Sequence, residues 1–160
     1  MSERAQTIIE HFTRCHETLS TAESCTGGSI VQQLASVSGA SAVLVGGLVA
    51  YAPRIKVEML TVDPALVREE TIVSCATAVA MATGAQAKFG TDWAIATTGF
   101  AGPGGGNTRY DVGTVCLAIV STKHGVYFSQ ALHLRGSRLE IMNKASDLAL
   151  THLLSLSSEA

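Results

Sequence analysis

The sequence predicts an α/β fold, a single domain built on a mixed β-sheet flanked by helices. Three observations carry that prediction. Helical and strand-like patterns alternate early in the chain, as crossover connections require. A hairpin signal comes late, around Lys123-His124-Gly125, and adds antiparallel strands. The 160 residues are 47% hydrophobic and 15% charged, which is enough apolar surface for one core and too little charge for disorder.

Each element follows from its own pattern. From Glu3 to Cys15 the residues Ile8, Ile9 and Phe12 fall on one helical face. A short strand is expected at Leu19 to Ala22, then the turn Glu23-Ser24-Cys25-Thr26-Gly27-Gly28, then a helix carrying Ile30, Val31 and Leu34. Ser36 to Ser41 reads as a loop and Ala42 to Tyr51 as a strand interrupted by Gly46 and Gly47. Pro53 suits the first turn of a short helix with Ile55, Lys56, Met59 and Leu60, because its missing N–H has no partner there anyway. Asp63 caps another helix start at Pro64, and Ser74 caps a long Ala-rich helix ending near Gly90. The small residues of that helix permit close packing. Trp93 to Thr98 is a buried strand that leads into the glycine loop Gly99 to Gly106. Gly113 to Ser121 and Val126 to Leu134 form the hairpin, and Ser137 to Leu154 the last helix. No repeat, low-complexity tract or linker divides residues 1–160.

Composition excludes several classes. A net charge of −2 argues against sequence-independent nucleic-acid binding. No apolar run is long enough to span a bilayer, and Met1 to Glu10 lacks the apolar core of a signal peptide, so a cytoplasmic protein is expected. Cys15, Cys25, Cys75 and Cys116 form neither a CxxC pair nor a disulfide framework, and the five histidines form no i, i+4 pair. No metal site is expected. Cys25 stands apart from the other thiols because it lies inside a polar, glycine-rich turn.

Two glycine-rich loops follow strands, the position at which ligands bind open α/β sheets. The turn from Ser24 to Gly28 opens into a helix, and a helix N-terminus favours an anion. Thr97 and Thr98 bring hydroxyls to the second loop. Ser41, Tyr51 and Lys56 form a joint candidate: a serine needs a base, and a lysine in an apolar stretch can supply one if burial lowers its pKa. Each of the three also has an ordinary reading, as loop, strand and helix residue.

The motifs Thr21-Ala22-Glu23-Ser24-Cys25-Thr26-Gly27-Gly28, Gly47-Leu48-Val49-Ala50-Tyr51 with Lys56, Thr98-Gly99-Phe100-Ala101-Gly102-Pro103-Gly104-Gly105-Gly106 and Val112-Gly113-Thr114-Val115 occur in that order. This series closely resembles the C-terminal domain family of the competence-damage-inducible protein CinA, including its stand-alone PncC type, from about Leu19 to Leu154. The resemblance implies a nicotinamide-nucleotide amidase, converting nicotinamide mononucleotide and water to nicotinate mononucleotide and ammonia without metal or organic cofactor. It implies Ser41, within Gly39-Ala40-Ser41-Ala42-Val43, as nucleophile, Lys56 as base and Tyr51 as its partner. Ser24, Thr26, Gly27, Gly28, Thr98, Gly99, Gly102, Gly104, Gly105 and Arg138 are the expected substrate-binding residues. The expected partners are a small nucleotide and further copies of the chain.

The sequence departs from the family pattern at Ala40, Ala52-Pro53, Leu60-Thr61-Val62, Tyr110-Asp111 and Gly136-Ser137-Arg138. Tyr110-Asp111 replaces a Lys-Pro pair and changes charge beside the expected pocket. The alternative reading is a catalytically weak or inactive paralogue that binds a nucleotide. A third is a subunit whose glycine loops serve assembly.

Overall fold

The computed structural model describes residues 3–160; the parts of the signal-peptide reading that fall on Met1 and Ser2 lie outside it. Helix α1 (Glu3–Cys15) leads to strand β1 (Leu19–Glu23), α2 (Ser29–Ala35), β2 (Leu44–Val49) and α3 (Pro53–Leu60). Helix α4 (Cys75–Phe89), strands β3 (Trp93–Gly99), β4 (Thr114–Ser121) and β5 (Val126–His133), and helix α5 (Arg138–Glu159) complete the chain. The sheet order is β2-β1-β3-β4-β5. Strands β2, β1 and β3 run parallel, and β4 lies antiparallel between β3 and the edge strand β5, so the sheet is mixed as expected.

Alternation along the strands sorts the core into two faces. Leu19, Trp93, Ile95, Leu117 and Ile119 face α1, α2 and α5, whose Ile8, Phe12, Ile30, Leu34, Ala149 and Leu153 pack against them. Ala22, Ala94, Ala96 and Ala118 face α4, which answers with Ala78, Met81, Ala82 and Ala85. Small residues on both sides of that second interface let helix and sheet approach closely. Helix α3 closes onto α4 at Gly84, where a Cβ would sit 2.0 Å from the Leu60 carbonyl oxygen.

Several boundaries differ from the sequence expectation. Strand β2 begins at Leu44, because Ala40–Ala42 form a 3-10 turn entered through Gly39 at φ +86°. Gly46 and Gly47 do not interrupt the strand. A Cβ on Gly46 would lie 2.5 Å from the Phe89 ring and one on Gly47 2.6 Å from Thr21 Oγ1, so both glycines serve close packing. The helix expected at Asp63-Pro64 is only a 3-10 turn, Pro64–Val67, with Asp63 accepting from Ala65 N at 2.8 Å. Ser74 caps α4 as expected, Ser137 proves to be the cap of α5 and not its first residue, and α5 runs past Leu154 to Glu159. Among the described residues no helix is long and apolar enough to cross a membrane.

Candidate active site

The parallel order brings the carboxyl ends of β1 and β3 together, and both glycine loops leave from that end. Glu23 closes β1 and is fully buried. Its carboxylate accepts from Thr26 Oγ1 at 2.7 Å and from the main-chain N–H groups of Gly28, Ile30 and Val31 at 2.8 to 3.1 Å. The Thr26 hydroxyl is therefore committed to Glu23, and Thr97 Oγ1 donates to Thr26 Oγ1 at 2.7 Å. This arrangement overturns one expectation. The donors at the start of α2 hold a side chain of this chain and are not open to a ligand anion. Thr26, Gly27 and Gly28 shape the turn, with Gly27 and Gly28 at φ +63° and +98°. Sequence reasoning passed over Glu23, although an acid directly before a glycine turn that opens a helix was a readable signal.

The same turn leaves Ser24 beside Lys56. Ala50 N donates to Glu23 O at 2.8 Å, which sets the start of the β2–α3 connection against the end of β1. Pro53 then begins α3, and one turn later Lys56 points inward at 1% exposure. Its Nζ donates to Ser24 Oγ at 3.0 Å, to Ala50 O at 2.6 Å and to Tyr51 O at 3.3 Å. Three acceptors match the three donors of an ammonium. Burial nevertheless lowers the Lys56 pKa from 10.5 to about 8, because desolvation penalises the charged form.

Ser41 does not meet Lys56. It sits exposed in the 3-10 turn before β2, whereas Lys56 Nζ lies beyond the other end of that strand. The six steps from Leu44 to Ala50 span about 20 Å of extended chain. The serine that the structure brings to the lysine is Ser24, which the sequence had placed among the substrate contacts.

A cavity of about 180 Å³ opens on this pair, lined by Ser24, Tyr51, Lys56, Thr98, Gly99 and Phe100 with Ile72 and Val73. The last two come from the segment before α4 and were not anticipated. Thr98 is buried and donates to Ile72 O at 2.8 Å, so it fixes this wall. Gly99 lets β3 approach β4, since a Cβ there would lie 2.6 Å from Thr114 O. Arg138 ties the rim, donating to Gly102 O at 2.8 Å and to Tyr51 Oη at 2.7 Å. Tyr51 reaches Lys56 through its carbonyl while its ring stays exposed. Gly104 has open space around its Cβ direction, and Gly105 lies at φ +106°. Cys25 is buried, and burial first of all pushes its thiol up to about 12. It stays protonated and packs in the core. A larger apolar groove between α3 and α4, about 700 Å³, contains neither Ser24 nor Lys56.

The model of the CinA C-terminal domain matches residues 1–157. The chain belongs to that family. A CinA-like protein of Synechococcus sp. (strain RCC307) is 45% identical over 115 residues, which cover 72% of this chain and 28% of the relative. A CinA-like protein of Mycobacterium marinum is 43% identical over 136 residues, covering 85% and 32%. This CinA-family domain thus spans about a third of the length of the curated relatives it matches. Its fold superimposes on the competence/damage inducible protein CihA of Agrobacterium tumefaciens with a TM-score of 0.92, at 38% identity, covering 96% of this chain and 93% of that one. A CinA superfamily protein of Escherichia coli gives 0.90 at 29% identity, covering 96% and 88%.

Proposed function

We propose that this CinA-family domain hydrolyses the carboxamide of nicotinamide mononucleotide, with Ser24 as nucleophile and Lys56 as general base. The observation that carries the reading is the 3.0 Å contact between Lys56 Nζ and Ser24 Oγ at the wall of a cavity. A lysine of pKa about 8 is neutral in about a tenth of molecules at pH 7, so an amine lone pair is available. Neutral Lys56 takes the Ser24 proton as Oγ attacks the amide carbon. The resulting ammonium returns that proton to the leaving nitrogen, and ammonia departs. Water, deprotonated by Lys56, then attacks the acyl-Ser24 ester, and the carboxylate leaves as Ser24 regains its proton. The main-chain N–H groups of Cys25 and Thr26, which directly follow Ser24 and donate to no main-chain acceptor among the described residues, are candidates to hold the oxyanion.

The substrate rests on the family resemblance, and the residue roles rest on the geometry. Ammonia release from nicotinamide mononucleotide tests both. Ser24→Ala and Lys56→Ala should each lower kcat/KM by about 10³-fold or more, whereas Ser41→Ala should stay within about twofold of wild type. If Ser41→Ala abolishes turnover and Ser24→Ala does not, the nucleophile is misassigned. A thermal shift with the nucleotide and no ammonia across a pH series would favour the binding-module reading.

A further inference from the structure

The structure closes part of the phosphate cradle expected for such a nucleotide. The N–H groups at the start of α2 are taken by Glu23, while Arg138 donates to Gly102 O and Tyr51 Oη at the rim and keeps its charge. A second recess lies at the same end of the sheet. Strands β3 and β4 are antiparallel, as are β4 and β5; Gly99 pairs with Val115, and the Thr114–His133 pair lies one residue beyond it. Around them a polar cavity of about 270 Å³ is lined by Arg109, Arg135, His133 and Thr114, with Asp111 as its one acid and Tyr110 beside it.

Its walls are fixed by the main chain. Asn107 Oδ1 accepts from Arg109 N and Tyr110 N at 2.9 and 2.8 Å, which holds the turn that carries Arg109. Gly113 adopts φ +95° and packs against the Leu134 carbonyl, where a Cβ would lie 2.1 Å away. Lys144 Nζ donates to Arg135 O at 2.6 Å and fixes the opposite wall. Neither guanidinium forms an ion pair with a carboxylate among the described residues. Two arginines without a carboxylate partner thus flank one polar recess, Arg109 resting over the Tyr110 ring, and arginine suits a phosphate through paired N–H bonds.

We infer that this recess binds a phosphate or diphosphate group, with Arg109 and Arg135 as its principal donors. Asp111 suits a sugar hydroxyl, which donates to a carboxylate, so a sugar phosphate fits better than a bare polyanion. Three strand spacings separate β1 from β5, roughly 14 Å. The long arginine chains shorten that gap, which puts the anion on the scale of one nucleotide from Ser24. As a phosphate subsite for the proposed substrate, the inference rests on the amidase reading; as an anion site, it stands without it.

Calorimetric titration of the full chain with inorganic pyrophosphate tests the site directly. Wild type and Ser24→Ala should bind alike and saturably, and the double variant Arg109→Ala/Arg135→Ala should bind about tenfold or more weakly. Both arginines are exposed, and circular dichroism with Arg135→Ala alone as a second variant guards against misfolding. Turnover separates the two sources of the anion. If the phosphate is the substrate's own, pyrophosphate competes with nicotinamide mononucleotide, and the double variant raises KM for the nucleotide but not for the phosphate-free riboside. If the anion is a separate ligand, pyrophosphate binds without competing. Failure of the amidase reading shows as absent ammonia with pyrophosphate binding intact. No saturable pyrophosphate binding by folded wild type, or binding unchanged in the double variant, overturns the inference.

Discussion

A lysine buried at 1% exposure with no carboxylate partner loses the hydration of its ammonium, and the three oxygens around Lys56 Nζ restore only part of it. The folded state therefore binds the Lys56 proton less tightly than the unfolded chain does, with a pKa of about 8 against 10.5. Between those values the unfolded chain carries the extra proton, so this group makes stability rise with pH from about 8 to 10.5. The span corresponds to on the order of 3 kcal/mol. Lys56→Met should be inactive yet at least as stable as wild type at pH 7, and wild type should gain on it as pH rises through that window. Urea unfolding at pH 7 and pH 10 checks this, and a stability difference that is flat with pH would contradict it. The kcat/KM of wild type should rise with pH and level off above about 8. Lys56 and Tyr51 were legible as candidates because the apolar stretch around Lys56 is a local feature. Pairing with Ser24 was not, since it depends on β1 and β2 lying side by side, and sequence spacing carries no such information.

Helix α3 delivers Lys56, and its position is set by α4. The final residue of α3, Leu60, lies with its carbonyl against Gly84, and the clash a Cβ would make there is with main-chain atoms that cannot rotate away. Gly84→Ala should cost about 1–3 kcal/mol and shift α3 off α4, lowering kcat/KM as the Lys56–Ser24 contact lengthens. Gly104→Ala is the control. Its Cβ direction is open, so stability should stay within about 0.5 kcal/mol. Thermal unfolding of the two variants, with the ammonia assay on Gly84→Ala, decides the matter; equal stability at both positions would remove Gly84 as the pin. At this scale the caps and strand centres were well marked in the sequence, because Asp63 and Ser74 act on neighbours a few residues away. The start of β2 was misplaced for the opposite reason. Ala42 has nothing in its own composition to distinguish the end of a 3-10 turn from extended chain, while Ser41, read as a loop residue, owed its role as nucleophile to the family resemblance alone.

For the whole molecule, the alternating pattern foretold a mixed sheet, but the order β2-β1-β3-β4-β5 is a set of pairings between distant segments. The two ends of that sheet divide the work. The carboxyl ends of β1 and β3 carry the candidate site, and the opposite end carries a charge network centred on Glu17. Glu17 accepts from Trp93 Nε1 and lies 2.6 Å from His124 Nε2 and 2.8 Å from Lys123 Nζ, so it joins the α1–β1 connection to β3 and to the β4–β5 turn. Burial alone would raise the Glu17 pKa, but the bonds from Lys123, Trp93 and His124 outweigh it and hold the carboxyl at about 2. A carboxylate lowered in the folded state contributes stability that is complete above about 4.5 and lost as pH falls toward 2. Lys123 is half exposed, which screens its share, so the contribution is on the order of 2 kcal/mol rather than the full shift. Trp93, the chain's one tryptophan, is buried within this network and reports on it by fluorescence. Unfolding followed at Trp93 should show wild-type stability falling between pH 4.5 and 2. In Glu17→Gln the fall should be shallower by about that amount, with stability reduced above pH 5. Parallel acid limbs for the two proteins would mean that the network does not couple protonation to folding.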